Sequence, residues 1–302
     1  MIEGYIIRTN ANFKSPTNPK NVSFGNSHPQ CALNDSLIFD FRNYSTSGET
    51  YFYTFQKLKN VLDQNPSVDN VFISFSNDYI NKRRDSSVWK DDCLSQFYST
   101  FSPFLDLEDN ELILKNNFTG LLNYFSIAVR KNHEKVMGGN YNYDSDLGGY
   151  LYLNINKTDS ILSVIDEHNS KVNTDHYNTN DYYQSPTFIY LKKIINYCNA
   201  NNKKIFLVRI PVHSMHIDLK NEKDFNEIIN DHFSSTEFLD FINFPLSNSE
   251  FGDLGHLNSQ GASIFSLWIN GILKKGLLQA PDKQNFIDEA IMKRSTTKPK
   301  MY

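Results

Sequence analysis

The sequence predicts an α/β fold: a mainly parallel sheet with helices on both faces, interrupted by one large insertion at about 80–182. Three observations carry this. Short apolar runs bounded by Gly, Pro and Asn read as strands, and stretches with apolar residues at helical spacing lie between them. The run 204–210 (KIFLVRI) is almost continuously apolar, as in a strand covered on both faces. The opening order of strand, turn, strand, helix, strand suits a parallel sheet.

Taken in order, 21–24 is a strand that ends in the turn-like Gly25-Asn26-Ser27-His28-Pro29. A second strand is expected at 38–44. Ser47 then reads as an N-cap, with Gly48 and Glu49 in the first turn of a helix whose stripe is Tyr51, Phe52, Phe55, Leu58 and Leu62. Pro66 disfavours helix at Asn65 and closes it. A third strand follows at 70–76. Residues 80–182 read as an insertion carrying lid or substrate-facing elements within one domain of 1–302. It contains charged residues at 82–91, helical spacing at 112–136, a Gly/Asn/Tyr loop at 138–149 and a polar stretch at 169–180. Order resumes with a helix through Phe188, Leu191, Ile194, Ile195 and Cys198, then the strand 204–210. Phe225, Ile228 and Ile229 mark a helix, 238–243 a fifth strand, and Ala262, Phe265, Trp268 and Ile269 a closing helix. The tail, 280–302, is expected to be loose apart from a short amphipathic segment at 286–292.

The 302 residues are 39% hydrophobic and 14% aromatic, enough apolar surface for a substantial core. A net charge of −4 argues against a nucleic-acid partner or a polybasic membrane patch. No apolar run reaches the roughly 18 residues of a transmembrane segment. The first twenty residues lack a basic stretch followed by an apolar one, so the chain as given reads as cytoplasmic. Cys31, Cys93 and Cys198 are odd in number and far apart, which fits neither a disulfide framework nor a metal site.

Two segments carry candidate chemistry. Ser27 leaves the sheet at its carboxyl edge, where open α/β sheets bind ligands; it is either a turn residue or a nucleophile. Asp253 and His256 stand three apart, so one helical turn brings them to one side. The carboxylate then accepts the Nδ1 proton and leaves Nε2 for the serine, unless the histidine is only a cap or surface group.

The phrases Gly25-Asn26-Ser27-His28, Ser47-Gly48-Glu49, Ser76-Asn77 and Asp253-Leu254-Gly255-His256 occur in the order of the conserved blocks of the SGNH/GDSL hydrolases, a superfamily that this chain resembles over about 1–80 and 184–275. Asn26 departs from the Gly-Asp-Ser pattern of the first block. GNSHPQ, NYSTSGETYFYTF and GHLNSQGASIFS also resemble a bacterial branch linked to cell-surface polysaccharides and frequently exported. The resemblance implies a three-layer, flavodoxin-like sheet and a serine esterase or O-acyltransferase acting on a short acyl ester, such as one on a glycan, without metal or organic cofactor. It implies Ser27 as nucleophile, His256 as base and then acid, and Asp253 as its orienter. It also implies an oxyanion hole of the Ser27 and Gly48 N–H groups and the Asn77 amide. The alternative is a non-catalytic module of the same fold that binds a glycan or a protein.

Other residues remain open on sequence. His28 is a substrate contact or a structural hydrogen-bonding group. His213 and His216 follow the 204–210 strand and suit a pocket edge better than a metal, since no third ligand stands at the right spacing. Arg209 is either a buried ion-pair partner or a substrate clamp.

Overall fold

The computed structural model describes residues 2–167 and 182–297. Five strands, β1 (Asn21–Phe24), β2 (Phe41–Asn43), β3 (Asn70–Ser74), β4 (Lys204–Arg209) and β5 (Glu237–Asp240), form one sheet in the order β2-β1-β3-β4-β5. Every pairing is parallel. With helices on both faces, this is the expected three-layer, flavodoxin-like arrangement. Successive strand residues point to opposite faces, and the apolar ones feed two cores. Val22, Phe24, Val71, Ile73, Ile205 and Leu207 enter one core; Phe41, Phe72, Phe206, Val208 and Leu239 enter the other.

The first core is covered by the helices Tyr51–Gln64 and Pro186–Ala200, and by Phe225 and Ile228 of Glu222–His232. The second is covered by Ser259–Lys274, through Phe265, Ile269 and Ile272, and by Ala32 of the short helix Ser27–Ala32.

Local chemistry moved several boundaries. The second strand is shorter than expected because the chain turns at 39–40, where Asp40 takes a φ of +58°, and pairing starts only at Phe41. Ahead of it Asp35–Leu37 forms a 3-10 turn, capped when the Asn34 side chain accepts from the Ser36 N–H. The helix after it starts at Tyr51 with Thr50 as N-cap, not at Ser47. Ser47-Gly48 instead forms a turn closed by Glu49 N–H to Thr46 O at 3.1 Å, and Gly48 supplies the φ of +74° that its third position needs. The N-terminal segment Ile2–Asn10 is helical and buries Ile7. The tail is also ordered over Lys283–Thr297: Ile287 and Ile291 pack on the second core, and Gln284 Oε1 accepts from the Asp240 N–H. Their i, i+4 spacing supplies the buried face of the amphipathic segment expected at 286–292, and the helix extends beyond that segment at both ends.

The insertion packs along the first face. Phe97 stacks on Tyr53, and the buried Asp109 accepts from Gln56 Nε2 and Tyr190 Oη, each at 2.7 Å. Its spacing at 112–136 resolves into two helices, Leu107–Asn116 and Phe118–Gly138. The chain then returns over the carboxyl edge of the sheet. There the Leu151 N–H donates to Gln30 O, the Lys157 N–H to Gly252 O, and the Ser259 N–H to Leu153 O. The polar stretch at 169–180 lies outside the described residues. No helix among the described residues is long and apolar enough to cross a membrane.

Candidate active site

The strand order places the turn-over between β1 and β3, so the end of β1 opens into the crevice at the carboxyl edge. Gly25 leaves β1 against β3: a Cβ there would lie 2.5 Å from Ser74 Cβ, so only glycine lets the chain pass. Asn26 then caps the next helix, its Oδ1 accepting from the His28 N–H at 3.0 Å. Ser27 is the first helical residue, and at that position its N–H has no intrahelical acceptor.

Asp253 and His256 reach Ser27 from the other end of the chain. They sit in a tight turn rather than on a helix, bounded by the bridge between Phe251 and Leu257 and closed by Gly252 N–H to His256 O at 2.8 Å. Asp253 Oδ1 accepts from the N–H groups of Gly255 and His256, at 2.8 and 2.9 Å, and lies 2.9 Å from His256 Nδ1. Burial works against the Asp253 charge, but the bonds from His256 and the two N–H groups outweigh it and hold the carboxyl below the usual range. His256 Nε2 is 2.8 Å from Ser27 Oγ. The His256 and Asp253 side chains are 27% and 32% exposed, so this line of bonds opens to solvent.

The Gly48 turn is anchored from beneath. Lys57 Nζ, fully buried, donates to Tyr44 O at 2.6 Å, Thr46 Oγ1 at 3.1 Å and Leu147 O at 3.0 Å, and pairs with Glu49. Thr54 Oγ1 also donates to Glu49, at 2.7 Å. One ammonium group thus ties the end of β2, the Gly48 turn and the insertion. The sequence reading did not single out Lys57; its only signal is a lysine in line with Tyr53 and Val61 on a buried helix face.

Asn77 is placed differently from the oxyanion role that the resemblance implies. Its Nδ2 donates to Asn221 Oδ1 at 3.0 Å and to Glu222 Oε2 at 2.8 Å, while its Oδ1 accepts from Arg209 Nη1 at 3.0 Å. Both amide hydrogens are therefore spent inside the protein. Arg209 resolves as a buried ion-pair partner, bonded to Asp240 and Glu222.

His213 is likewise engaged at both ring nitrogens: Nε2 lies 3.1 Å from Asn248 Oδ1, and Nδ1 accepts from the Met215 N–H at 3.2 Å. That leaves no nitrogen for a substrate. His28 is 8% exposed and lies beside His256, with ring centroids 5.3 Å apart. Asp78 accepts from Asn26 Nδ2 at 2.9 Å and Ser76 Oγ at 2.6 Å. Among the described residues no group of three or more His, Cys, Asp or Glu is arranged to hold a metal.

A family model matches residues 133–277. No curated protein matches the chain. Among solved structures, the chain is similar to a Streptococcus pneumoniae protein provisionally named a platelet activating factor, at 14% identity and a TM-score of 0.43, covering 90% of this chain and 91% of that one. It is also similar to a provisionally named acylhydrolase from Bacteroides fragilis, at 13% identity and a TM-score of 0.37, covering 89% and 94%. Likenesses this distant carry no function across.

Proposed function

We propose that the protein is a serine esterase or O-acyltransferase of the SGNH type, acting on a short acyl ester. The observation that carries this reading is the unbroken line from Ser27 Oγ through His256 to Asp253, open to solvent at the carboxyl edge of the sheet.

In this reading Ser27 Oγ attacks the acyl carbon while His256 Nε2 takes its proton, and Asp253 stabilises the imidazolium through Nδ1. The carbonyl oxygen becomes an oxyanion, met by the N–H groups of Ser27 and Gly48; Asn77 is left out of this donor set. Collapse of the intermediate breaks the bond to the alcohol oxygen, which receives the proton from His256. Water or a second hydroxyl then attacks the acyl-serine by the same route, so hydrolysis and transfer share one intermediate. Turnover of phenyl acetate tests this: the wild type hydrolyses it, and Ser27→Ala and His256→Ala each abolish turnover. Equal rates in wild type and Ser27→Ala would reject the reading.

A further inference from the structure

Two histidines flank the Ser27–His256 pair, and the mechanism above uses neither. The ring of His28 lies 5.3 Å from that of His256 and 6.0 Å from that of His216. The Nε2 atoms of His28 and His216 converge on Gly255, the residue before His256: a Cβ there would lie 3.6 and 3.1 Å from them. A carboxylate stands behind each ring. His28 Nδ1 is 4.0 Å from Asp78 Oδ1, and His216 Nδ1 is 3.9 Å from Asp218 Oδ2. These four residues line one small cavity. His28 Nδ1 is sealed from solvent and has no hydrogen-bond partner among the described residues.

We propose that His28 and His216 are specificity-determining residues, whose Nε2 lone pairs accept hydrogen bonds from free hydroxyls on the alcohol part of the ester. This rests on the esterase reading above. A neutral imidazole carries one donor and one acceptor nitrogen. At 4.0 and 3.9 Å the carboxylates make no direct hydrogen bond to Nδ1, but their negative charge favours the proton on that nitrogen and leaves Nε2 as the acceptor. Burial, helped by the charges of His256, His216 and Arg84 and opposed by Asp78, lowers the His28 pKa to about 4, so its ring is neutral near pH 7. Two bare acceptors backed by Asp78 and Asp218, with Asp253 close by, suit groups that donate. A carboxylate or phosphate on the alcohol would meet lone pairs and like charge.

Glycerol monoacetate and propyl acetate offer the same acetyl group with and without free hydroxyls, and acetoxyacetate adds a carboxylate. Wild type is expected to favour glycerol monoacetate over propyl acetate by about 5- to 10-fold in kcat/KM, as one or two net hydrogen bonds allow. Acetoxyacetate should be the poorest of the three. His216→Phe should bring the glycerol-to-propyl ratio close to one. Wild type that hydrolyses phenyl acetate but shows no preference among the three overturns the subsite and leaves the esterase reading standing. Wild type inert on phenyl acetate overturns the esterase reading, and the histidines are then read by imidazole ¹⁵N spectra. Both rings should show the Nδ1–H tautomer, with Nε2 shifts on adding glycerol. Nε2–H tautomers, or a response to sodium acetate alone, overturn the proposal.

Discussion

Asn26 and Asp78 hold each other at 2.9 Å, Asn26 Nδ2 donating to Asp78 Oδ2, while Asn26 Oδ1 caps the helix that Ser27 opens. This accounts for the departure from the Gly-Asp-Ser pattern. An aspartate at 26 could keep the cap, but it would face a second carboxylate where a donor is needed.

Asn26→Asp should therefore lower the melting temperature at pH 7 and recover part of the loss at pH 5. There one of the two carboxyls can hold a proton and restore the missing donor. Thermal unfolding at the two pH values reads this. A variant as stable as wild type at pH 7 would mean that the Asn26–Asp78 bond contributes nothing.

Asn77→Ala removes an acceptor from Arg209 and two donors from Asn221 and Glu222. The expected cost is about 1–3 kcal/mol of stability, with kcat on phenyl acetate changed less than about 10-fold. A loss of about 100-fold in kcat at an unchanged melting temperature would instead return the amide to the oxyanion hole.

Lys57→Met leaves Glu49 buried without its cation, and about 3–5 kcal/mol should be lost. Adding Glu49→Gln should recover a good part of that, because the stranded charge disappears. Denaturant unfolding of the two single variants and the double variant gives the coupling; strictly additive losses would contradict a linked pair.

His28 links stability to pH. Its pKa is about 4 in the folded protein, against 6.5 for the free side chain. Between these values the unfolded chain binds the proton and the folded one does not, so its contribution to stability falls as pH drops through this window. The full effect is on the order of 3 kcal/mol. Asp85, which burial pushes up to about 6, acts with the opposite sign over part of the same range. The readout is therefore the difference between wild type and His28→Gln. That difference should shift in favour of the variant from pH 7 to pH 4; no change with pH would contradict a buried neutral ring.

Strand periodicity and turn residues located all five strands, because each strand buries an alternating or continuous apolar run that leaves a local trace. Ser27, Asp253 and His256 were legible as short local patterns, although their convergence across 229 positions of sequence depends on the sheet order. The fate of Asn77 was not legible: its amide is claimed by Arg209, Asn221 and Glu222, partners more than 130 residues away that no local spacing announces. Lys57 was hidden for a different reason: Tyr44 and Thr46 lie only 13 and 11 residues away, but the groups it holds are backbone carbonyls and a hydroxyl of the loop after β2 and of the insertion, whose folding no helical spacing announces. The helix at Lys283–Thr297 was legible only as the short amphipathic segment at 286–292, because beyond Ile287 and Ile291, which pack inward, its residues are mostly polar.

The central claim is that Ser27 is a nucleophile activated by His256, and covalent labelling by a fluorophosphonate tests it most directly. The account predicts one adduct per chain by intact mass, mapped to Ser27 by peptide analysis. Ser27→Ala should take up none, and His256→Ala should label at least about 100-fold more slowly, because the serine hydroxyl then keeps its proton. A folded wild-type protein that takes up no label, or labels at the same rate with and without His256, would contradict the account.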